Sequence, residues 1–229
     1  MQRECAGLAK ACGCALERGG VMVTRLSLLK ELSALIADDV LVVSSIGNNS
    51  GFWGQLKDRE ANLFHVTMGM CTSTALGLAL ALPNRKVLAL DADGNLTLNL
   101  GVLGTVANEA PKNLTIVLMD NRNYLGSNKK EPGMPTATAG KMNLEEVAKG
   151  CGIAGACTVE EVAGFRAEVH KALSTDGPHF IRARIEALDN DRPPRNKRVP
   201  DPRENKYQFA GYIQKTEGVE ILGSGLGGG

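Results

Sequence analysis

Two short polar runs carry the residues best suited to chemistry. "DADGN", Asp91 to Asn95, breaks off the apolar run Lys86-Val-Leu-Ala-Leu90, and "DNRNY", Asp120 to Tyr124, closes the run "NLTIVLM". Carboxylates and amide oxygens are hard ligands, so Asp93, Asn121 and a main-chain carbonyl near Asn123 form a partial shell for Mg2+ or Ca2+. Mg2+ usually completes its octahedron with water and phosphate oxygens, and the implied ligand is therefore a phosphorylated cofactor. Gly94 allows a close approach of backbone to phosphate, and the helix-like pattern beginning at Asn95 offers N–H donors. An acidic group at a helix start competes with a bound anion, and a cation removes that conflict. The alternative for Asp93 or Asn95 is a plain helix N-cap with no metal. An EF-hand loop is rejected, because Gly94 stands fourth rather than sixth and Val102 occupies the place of the bidentate Glu. Gly47, Gly51 and Gly54 lack the G-x-G-x-x-G spacing, which disfavours a nicotinamide-binding unit.

These turns need a scaffold that brings them to one place. "LSLLKELSALI" has Leu at helical spacing, "VLVVSS" is a short apolar strand, and the polar turn Ile46-Gly-Asn-Asn-Ser-Gly51 follows it. "NLFHV" is expected as a strand and "GMCTSTALGLALAL" as a buried helix. "RKVLAL", "LTLNLGVLGTVANEA" and "NLTIVLMD" read as strand, helix and strand. After the loop from Asn121 to about Lys141 come the helices "NLEEVAKGCG" and "VEEVAGFRAEVHKAL" and the strand "HFIRARI". Continuous apolar strands alternating with helices predict a doubly wound α/β fold, a mainly parallel sheet with helices on both faces. In such a sheet ligands bind beyond the carboxyl ends of the strands. The crossover helix, with Leu96, Leu100, Leu103, Ala107 and Ala110 on one face, brings the turns at Asp93 and Asn121 to the same rim.

Three regions follow from composition: an N-terminal extension over 1–23, the α/β domain over 24–187, and over 188–229 an extended Pro-rich and charged arm with a flexible "GSGLGGG" end. Arg192, Arg195, Lys197 and Arg198 in the arm are candidates for holding an anionic substrate or a partner, against the plain reading as a solvated linker. The chain has 229 residues with 26 basic and 25 acidic side chains, a net charge of +1, so nothing in the composition draws it to nucleic acid or to a membrane. No apolar run is long enough to span a bilayer or serve as a signal-peptide core, which implies a cytoplasmic protein. Cys5, Cys12 and Cys14 match no common zinc spacing and are expected as reduced thiols; Cys71, Cys151 and Cys157 are expected in packing.

Taken together, "DADGN" and "MDNRNY" resemble the G-D-G…N-N signature of thiamine diphosphate-dependent enzymes. The resemblance extends over most of Thr24 to Ile185 and includes "HVTMGMCTSTALGLALAL", similar to the G-S-M-G segment before the buried helix. It is closest to the cofactor-binding (beta) subunits of sulfopyruvate and phosphonopyruvate decarboxylase-like enzymes. The resemblance implies the diphosphate-binding (PP-type) domain, with thiamine diphosphate and Mg2+ as cofactors. Asp93 and Asn121 carry over as side-chain metal ligands and Asn123 as the carbonyl ligand. Gly94 and Asn95 would line the diphosphate, Asn48 and Asn49 would contact it from the first turn, and Tyr124 would join the cofactor site. Met68 would be the wedge that holds the cofactor bent, and the Val66 carbonyl would accept from its aminopyrimidine amine. Ala92, Asp120 and Val66 depart from the signature. His65 is a proton-transfer candidate, weighed against a satisfied core histidine.

Enzymes of this kind also need a pyrimidine-binding domain with an activating Glu, and this chain has room for one doubly wound domain. The resemblance therefore implies a hetero-oligomer in which an alpha subunit supplies the Glu, acting on a small 2-oxo acid by decarboxylation. A carboligase or synthase subunit similar to acetolactate synthase, and a non-catalytic cofactor-binding assembly partner, are the alternatives. "LGSNKKEPGMPTATAGK" suits a lid, and its Lys129, Lys130 and Lys141 could counter an anionic distal group.

Overall fold

The computed structural model describes residues 23–124, 133–195, 199–221 and 223. Six strands, β1 (Leu41–Ser45), β2 (Asn62–Val66), β3 (Val87–Ala92), β4 (Leu114–Asp120), β5 (Gly155–Val159) and β6 (His179–Arg184), form one sheet in the order β2-β1-β3-β4-β6-β5. Every pairing is parallel. The helices are α1 (Arg25–Leu35), α2 (Asn48–Leu56), α3 (Cys71–Ala81), the single turn α4 (Asp93–Leu96), α5 (Gly101–Glu109), α6 (Leu144–Gly150), α7 (Val162–Ser174) and α8 (Pro202–Glu217).

Successive side chains of a strand point to opposite faces, and both faces here are apolar. Val43, Ala89, Ile116 and Phe180 pack with Ala75 of α3, Leu103 of α5, Leu144 of α6 and Phe209 of α8. Val42, Leu88, Val117 and Ile181 pack with Leu29 of α1, Trp53 of α2 and Phe165 of α7. The doubly wound parallel sheet expected from the sequence is the fold observed. β1 and β3 run side by side, Leu41 against Val87 through Ser44 against Leu90. From β1 the chain leaves through α2 to one side of the sheet, and from β3 through α5 to the other, on the opposite face. The strand order thus reverses between β1 and β3, which opens a crevice at their carboxyl ends.

Four elements differ from the sequence expectation. α2 begins inside the segment expected as a turn, and its Gly54 is a packing site: a Cβ there would lie 2.7 Å from Val199 Cγ2. The crossover helix is broken, with a 3-10 turn at Thr97–Asn99 between α4 and α5, because Thr97 and Asn99 bond outward to Gly94, Gly69 and Ser73 instead of extending one helix. Ala110, expected on the buried face, is exposed in a left-handed C-cap. "GACTV" forms β5 at the sheet edge, in a stretch between two expected helices to which the sequence assigns no strand.

The fourth difference is the arm. From β6 the chain crosses the carboxyl rim, held by Glu186 N–H on the Val23 carbonyl and by a buried pair in which Arg25 Nε donates to both Asp189 oxygens at 3.0 and 3.1 Å. It then forms α8, started by the Asp201 cap and Pro202 in the first turn. Asn205 on α8 accepts from Phe64 N–H at 2.6 Å and donates to the Asn62 carbonyl at 3.0 Å. One side-chain amide thus closes the open edge of β2 as a neighbouring strand would. The N-terminal cysteines, Lys129, Lys130, Lys197, Arg198 and nearly all of "GSGLGGG" lie outside the described residues.

Candidate functional site

The turn after β4 is shaped by its own polar side chains. Arg122 has a left-handed φ of 63°, and its N–H donates to Asp120 Oδ1 at 3.2 Å. This folds Asn123 back over Asn121, whose main-chain carbonyl accepts from Asn123 Nδ2 at 2.8 Å. With the Asn121 amide nitrogen turned to the Ala187 carbonyl at 3.4 Å, its amide oxygen lies 3.3 Å from Asp93 Oδ1 and 3.0 Å from the Asn123 carbonyl oxygen. Three oxygens this close repel one another unless the amide turns over to donate its NH2 or a cation sits among them. An octahedral Mg2+ with ligands at about 2.1 Å sets neighbouring oxygens roughly 3 Å apart, so this donor set fits the ion in chemistry and in spacing. Asp93, Asn121 and Asn123, named as ligands from the sequence, are brought together.

The second oxygen of Asp93 is occupied by protein. Thr136 Oγ1 donates to Oδ2 at 2.5 Å, and Thr138 Oγ1 lies 3.0 Å from the same atom. Thr138 Oγ1 also lies 2.8 Å from Asp120 Oδ1, and Asp120 Oδ2 is held by Arg182, Nε at 2.7 Å and Nη2 at 2.6 Å. Burial holds the Asp93 carboxyl above the usual carboxylate range, the Thr136 hydrogen bond opposes it, and the nearby Asp120 charge adds to it. The threonines arrive on the return side of the loop, which pairs with the outgoing side through Tyr124 N–H to the Met134 carbonyl and Thr136 N–H to the Arg122 carbonyl. Gly94 is required here for packing: a Cβ would fall 2.7 Å from two ring carbons of Tyr124 and 3.0 Å from Thr136 Cγ2.

Asp91, without a role in the sequence reading, is a buried hub. It accepts from Thr72 Oγ1 at 2.7 Å, Ala92 N–H at 2.9 Å and Asn95 Nδ2 at 2.5 Å. The Asn95 oxygen in turn accepts from Gly69 N–H at 3.2 Å, so the Asn95 side chain, expected along the diphosphate, clamps the Met68 turn to the Asp93 turn. Met68 is left half exposed on that turn. The Val66 carbonyl already accepts from Ile46 N–H at 2.9 Å. Asn49 is buried, donating to the Asp91 carbonyl at 2.9 Å and to Ser45, and accepting from Arg25. Asn48 donates to Asp189 at 2.8 Å and lines, with Gln55, Arg192 and Arg195, an open cavity of about 230 Å3 between α2 and the crossing arm. The two first-turn asparagines therefore spend side-chain hydrogen bonds on the scaffold. His65 sits on edge strand β2 with φ 56° and its N–H bonded to Ser50 Oγ at 2.7 Å. Burial lowers its pKa and the Asp201 charge opposes this; among the described residues no hydrogen bond joins it to Asp93 or Asn121.

Sequence reasoning missed Thr136, Thr138 and Arg182. The threonines lie in "TATAG", which has no spacing of its own, and Arg182 lies in a strand whose neighbours hide which face it takes.

The domain is doubly wound, and the crevice at its switch point gathers Asp93, Asn121 and Asn123. The family model described as "Thiamine pyrophosphate enzyme, C-terminal TPP binding domain" matches residues 45–183, and the chain belongs to this family. It is 33% identical over 193 residues to sulfopyruvate decarboxylase subunit beta of Methanocaldococcus jannaschii, covering 84% of this chain and 98% of that protein. Phosphonopyruvate decarboxylase of Streptomyces viridochromogenes is 32% identical over 169 residues, covering 73% of this chain and 41% of that one. Benzoylformate decarboxylase from Polynucleobacter necessarius superimposes with a TM-score of 0.59 at 16% identity, over 76% of this chain and 35% of that chain, a likeness of fold. The chain spans about a third of the solved chains it matches. Among the described residues no helix is long and apolar enough to cross a membrane.

Proposed function

We propose that this chain is the cofactor-binding subunit of a thiamine diphosphate- and Mg2+-dependent 2-oxo acid decarboxylase. The observation that carries the proposal is the convergence of Asp93 Oδ1, the Asn121 amide and the Asn123 carbonyl at the switch point of the sheet. In this reading those three oxygens would hold Mg2+, which would supply positive charge for the diphosphate. Bound thiamine diphosphate supplies the electron sink for loss of CO2 from the 2-oxo acid. Asp91 and Asn95 fix the turn that carries Met68, whose exposed side chain is available to press on the cofactor. Tyr124 closes over Gly94 and shields the metal turn from water on that side.

The activating Glu is assigned to a partner alpha subunit that also supplies the pyrimidine-binding wall. Support comes from relatives named as beta subunits whose full length this chain covers, and from a fold that holds one such domain. A cytoplasmic location accords with the composition. The test is calorimetry with thiamine diphosphate and Mg2+ on the chain with its co-purifying partner, followed by product analysis with sulfopyruvate and phosphonopyruvate. Binding that requires Mg2+ and is lost in Asp93→Ala, with CO2 and an aldehyde as products, is expected. Binding indifferent to Asp93→Ala sinks the site, and a ligated 2-hydroxy ketone as main product replaces decarboxylase by carboligase.

A further inference from the structure

Asp93 presents its two oxygens to different surroundings. Oδ1 faces the amide of Asn121, while Oδ2 is turned to the hydroxyls of Thr136 and Thr138. We infer that this threonine pair sets metal selectivity: it holds Asp93 to a single coordinating oxygen and so favours Mg2+ over Ca2+. The inference rests on the proposed Mg2+ site and goes beyond it by naming what fixes the mode of ligation.

The proton count supports it. Each hydroxyl has one proton to give. Thr136 lies 2.5 Å from Oδ2 and 2.9 Å from the Thr138 hydroxyl oxygen, so its proton goes to Asp93. Thr138 stands between Asp93 Oδ2 at 3.0 Å and Asp120 Oδ1 at 2.8 Å and can serve only one of them at a time. Asp120 does not depend on that proton, because Arg182 holds its Oδ2 and Arg122 N–H its Oδ1. Both threonine protons are thereby available to one carboxylate oxygen. A cation that recruited Oδ2 as well would break these bonds inside a site where Asp93, Thr136 and Thr138 are all buried.

Ca2+ accepts bidentate carboxylates and six to eight ligands at 2.3–2.6 Å, whereas Mg2+ demands an octahedron of single oxygens at 2.0–2.1 Å. A carboxylate with one oxygen withheld suits the second ion. Groups that orient a metal ligand in this way usually change metal affinity about 10–100-fold when removed.

The test compares Mg2+ and Ca2+ dissociation constants, titrated in the presence of thiamine diphosphate, for the full chain with its co-purifying partner and for Thr136→Val/Thr138→Val. Valine keeps the shape and removes the hydroxyl. The expected result is a Mg2+ affinity weakened by about tenfold or more with Ca2+ much less affected, so that the Mg2+ preference shrinks. Thr136→Ser/Thr138→Ser keeps both protons and retains the wild-type preference. An equal fall for both ions, no change in either, or a serine variant that behaves like the valine one overturns the inference. If the double valine variant does not fold, Thr136→Val alone is read, and an unchanged preference there is equally fatal. Failure of the wild type to bind Mg2+ with thiamine diphosphate overturns the underlying site instead, and Asp93→Ala, which abolishes binding if the site is correct, separates the two failures.

Discussion

Replacing Arg182 by Met tests how the buried charge behind the Asp93 turn is balanced. Arg182 is 4% exposed and Asp120 fully buried; the guanidinium meets Asp120 Oδ2 through Nε at 2.7 Å and Nη2 at 2.6 Å, and donates to Asn143 Oδ1 at 2.8 Å. Removing one partner of a buried pair leaves the other charge uncompensated and costs about 3–5 kcal/mol, whereas replacing both is often close to neutral. Arg182→Met should therefore lose about 3–5 kcal/mol, a large share of the roughly 5–15 kcal/mol that holds a domain together. Arg182→Met with Asp120→Asn should recover most of that loss, because the new amide still accepts from Arg122 N–H and no charge remains. Trp53, the sole tryptophan of the chain, is buried with its indole N–H on Asn62 and reports unfolding by fluorescence. At a urea slope of roughly 2–3 kcal/mol/M the single variant should lower the midpoint by about 1–2.5 M. A shift below about 0.3 M, or a double variant no more stable than the single one, would refute this account of the pair.

Gly94→Ala drives a methyl to 2.7 Å from the Tyr124 ring, and overpacking of this kind costs about 1–3 kcal/mol; the displaced ring should weaken Mg2+-dependent cofactor binding, which calorimetry measures, and unchanged affinity would contradict the packing role. Asn205→Leu leaves Phe64 N–H and the Asn62 carbonyl without their partner, at about 1–3 kcal/mol each, and uncovers an edge strand; lowered thermal stability with concentration-dependent association in light scattering is expected, and a monodisperse variant of wild-type stability would count against the edge-closing role. Burial, aided by the Glu168 charge, pushes the Cys157 thiol up to about 11, so the reactive thiolate is scarce at neutral pH. Iodoacetamide labelling of Cys157, read by peptide mass spectrometry, should stay slow to pH 9 and rise toward pH 11; labelling at pH 8 as fast as that of a free cysteine peptide would contradict the shift.

The sheet was legible because its strands are continuous apolar runs and its turns are polar, a contrast that survives without knowledge of partners. The candidate ligands Asp93 and Asn121 were legible for the same reason, since each directly follows a strand, and Asn123 lies two positions further on. What escaped was decided by tertiary contact. α2 begins within the stretch Ile46 to Gly51 that reads as a turn, and the need for Gly54 shows only once Val199 of the crossing arm is seen to occupy the space beside it. α8 is polar on most of its surface, and only Phe209 and Ile213, four residues apart, betray a face that joins the core. Asn49 and Asn95 have the residue type expected for ligand contact, yet their amides tie together turns from β1, β2 and β3. A polar side chain at a strand end can serve a ligand or hold the turn that serves it, and sequence alone does not separate the two.

Three carboxylates lie buried at the ends of β3 and β4, and the way each is compensated singles out one of them. Asp91 is surrounded by donors, from Thr72, Ala92 and Asn95, that satisfy it without a countercharge. Asp120 has Arg182. Asp93 has two hydroxyls on one oxygen, and its other oxygen faces the Asn121 amide. Charge in a low-dielectric site must be neutralised or paired, and Asp93 has no arginine against it, only hydroxyl and backbone donors beside the Asn121 amide. The turns around it carry Ile46, Met68, Met70 and Leu98, each about half exposed, so the charged focus sits in an apolar margin. Water beside such a margin would be replaced to advantage by a ligand with a charged end for the focus and a nonpolar body for the margin. Thiamine diphosphate has that form, a charged diphosphate on a largely nonpolar ring body.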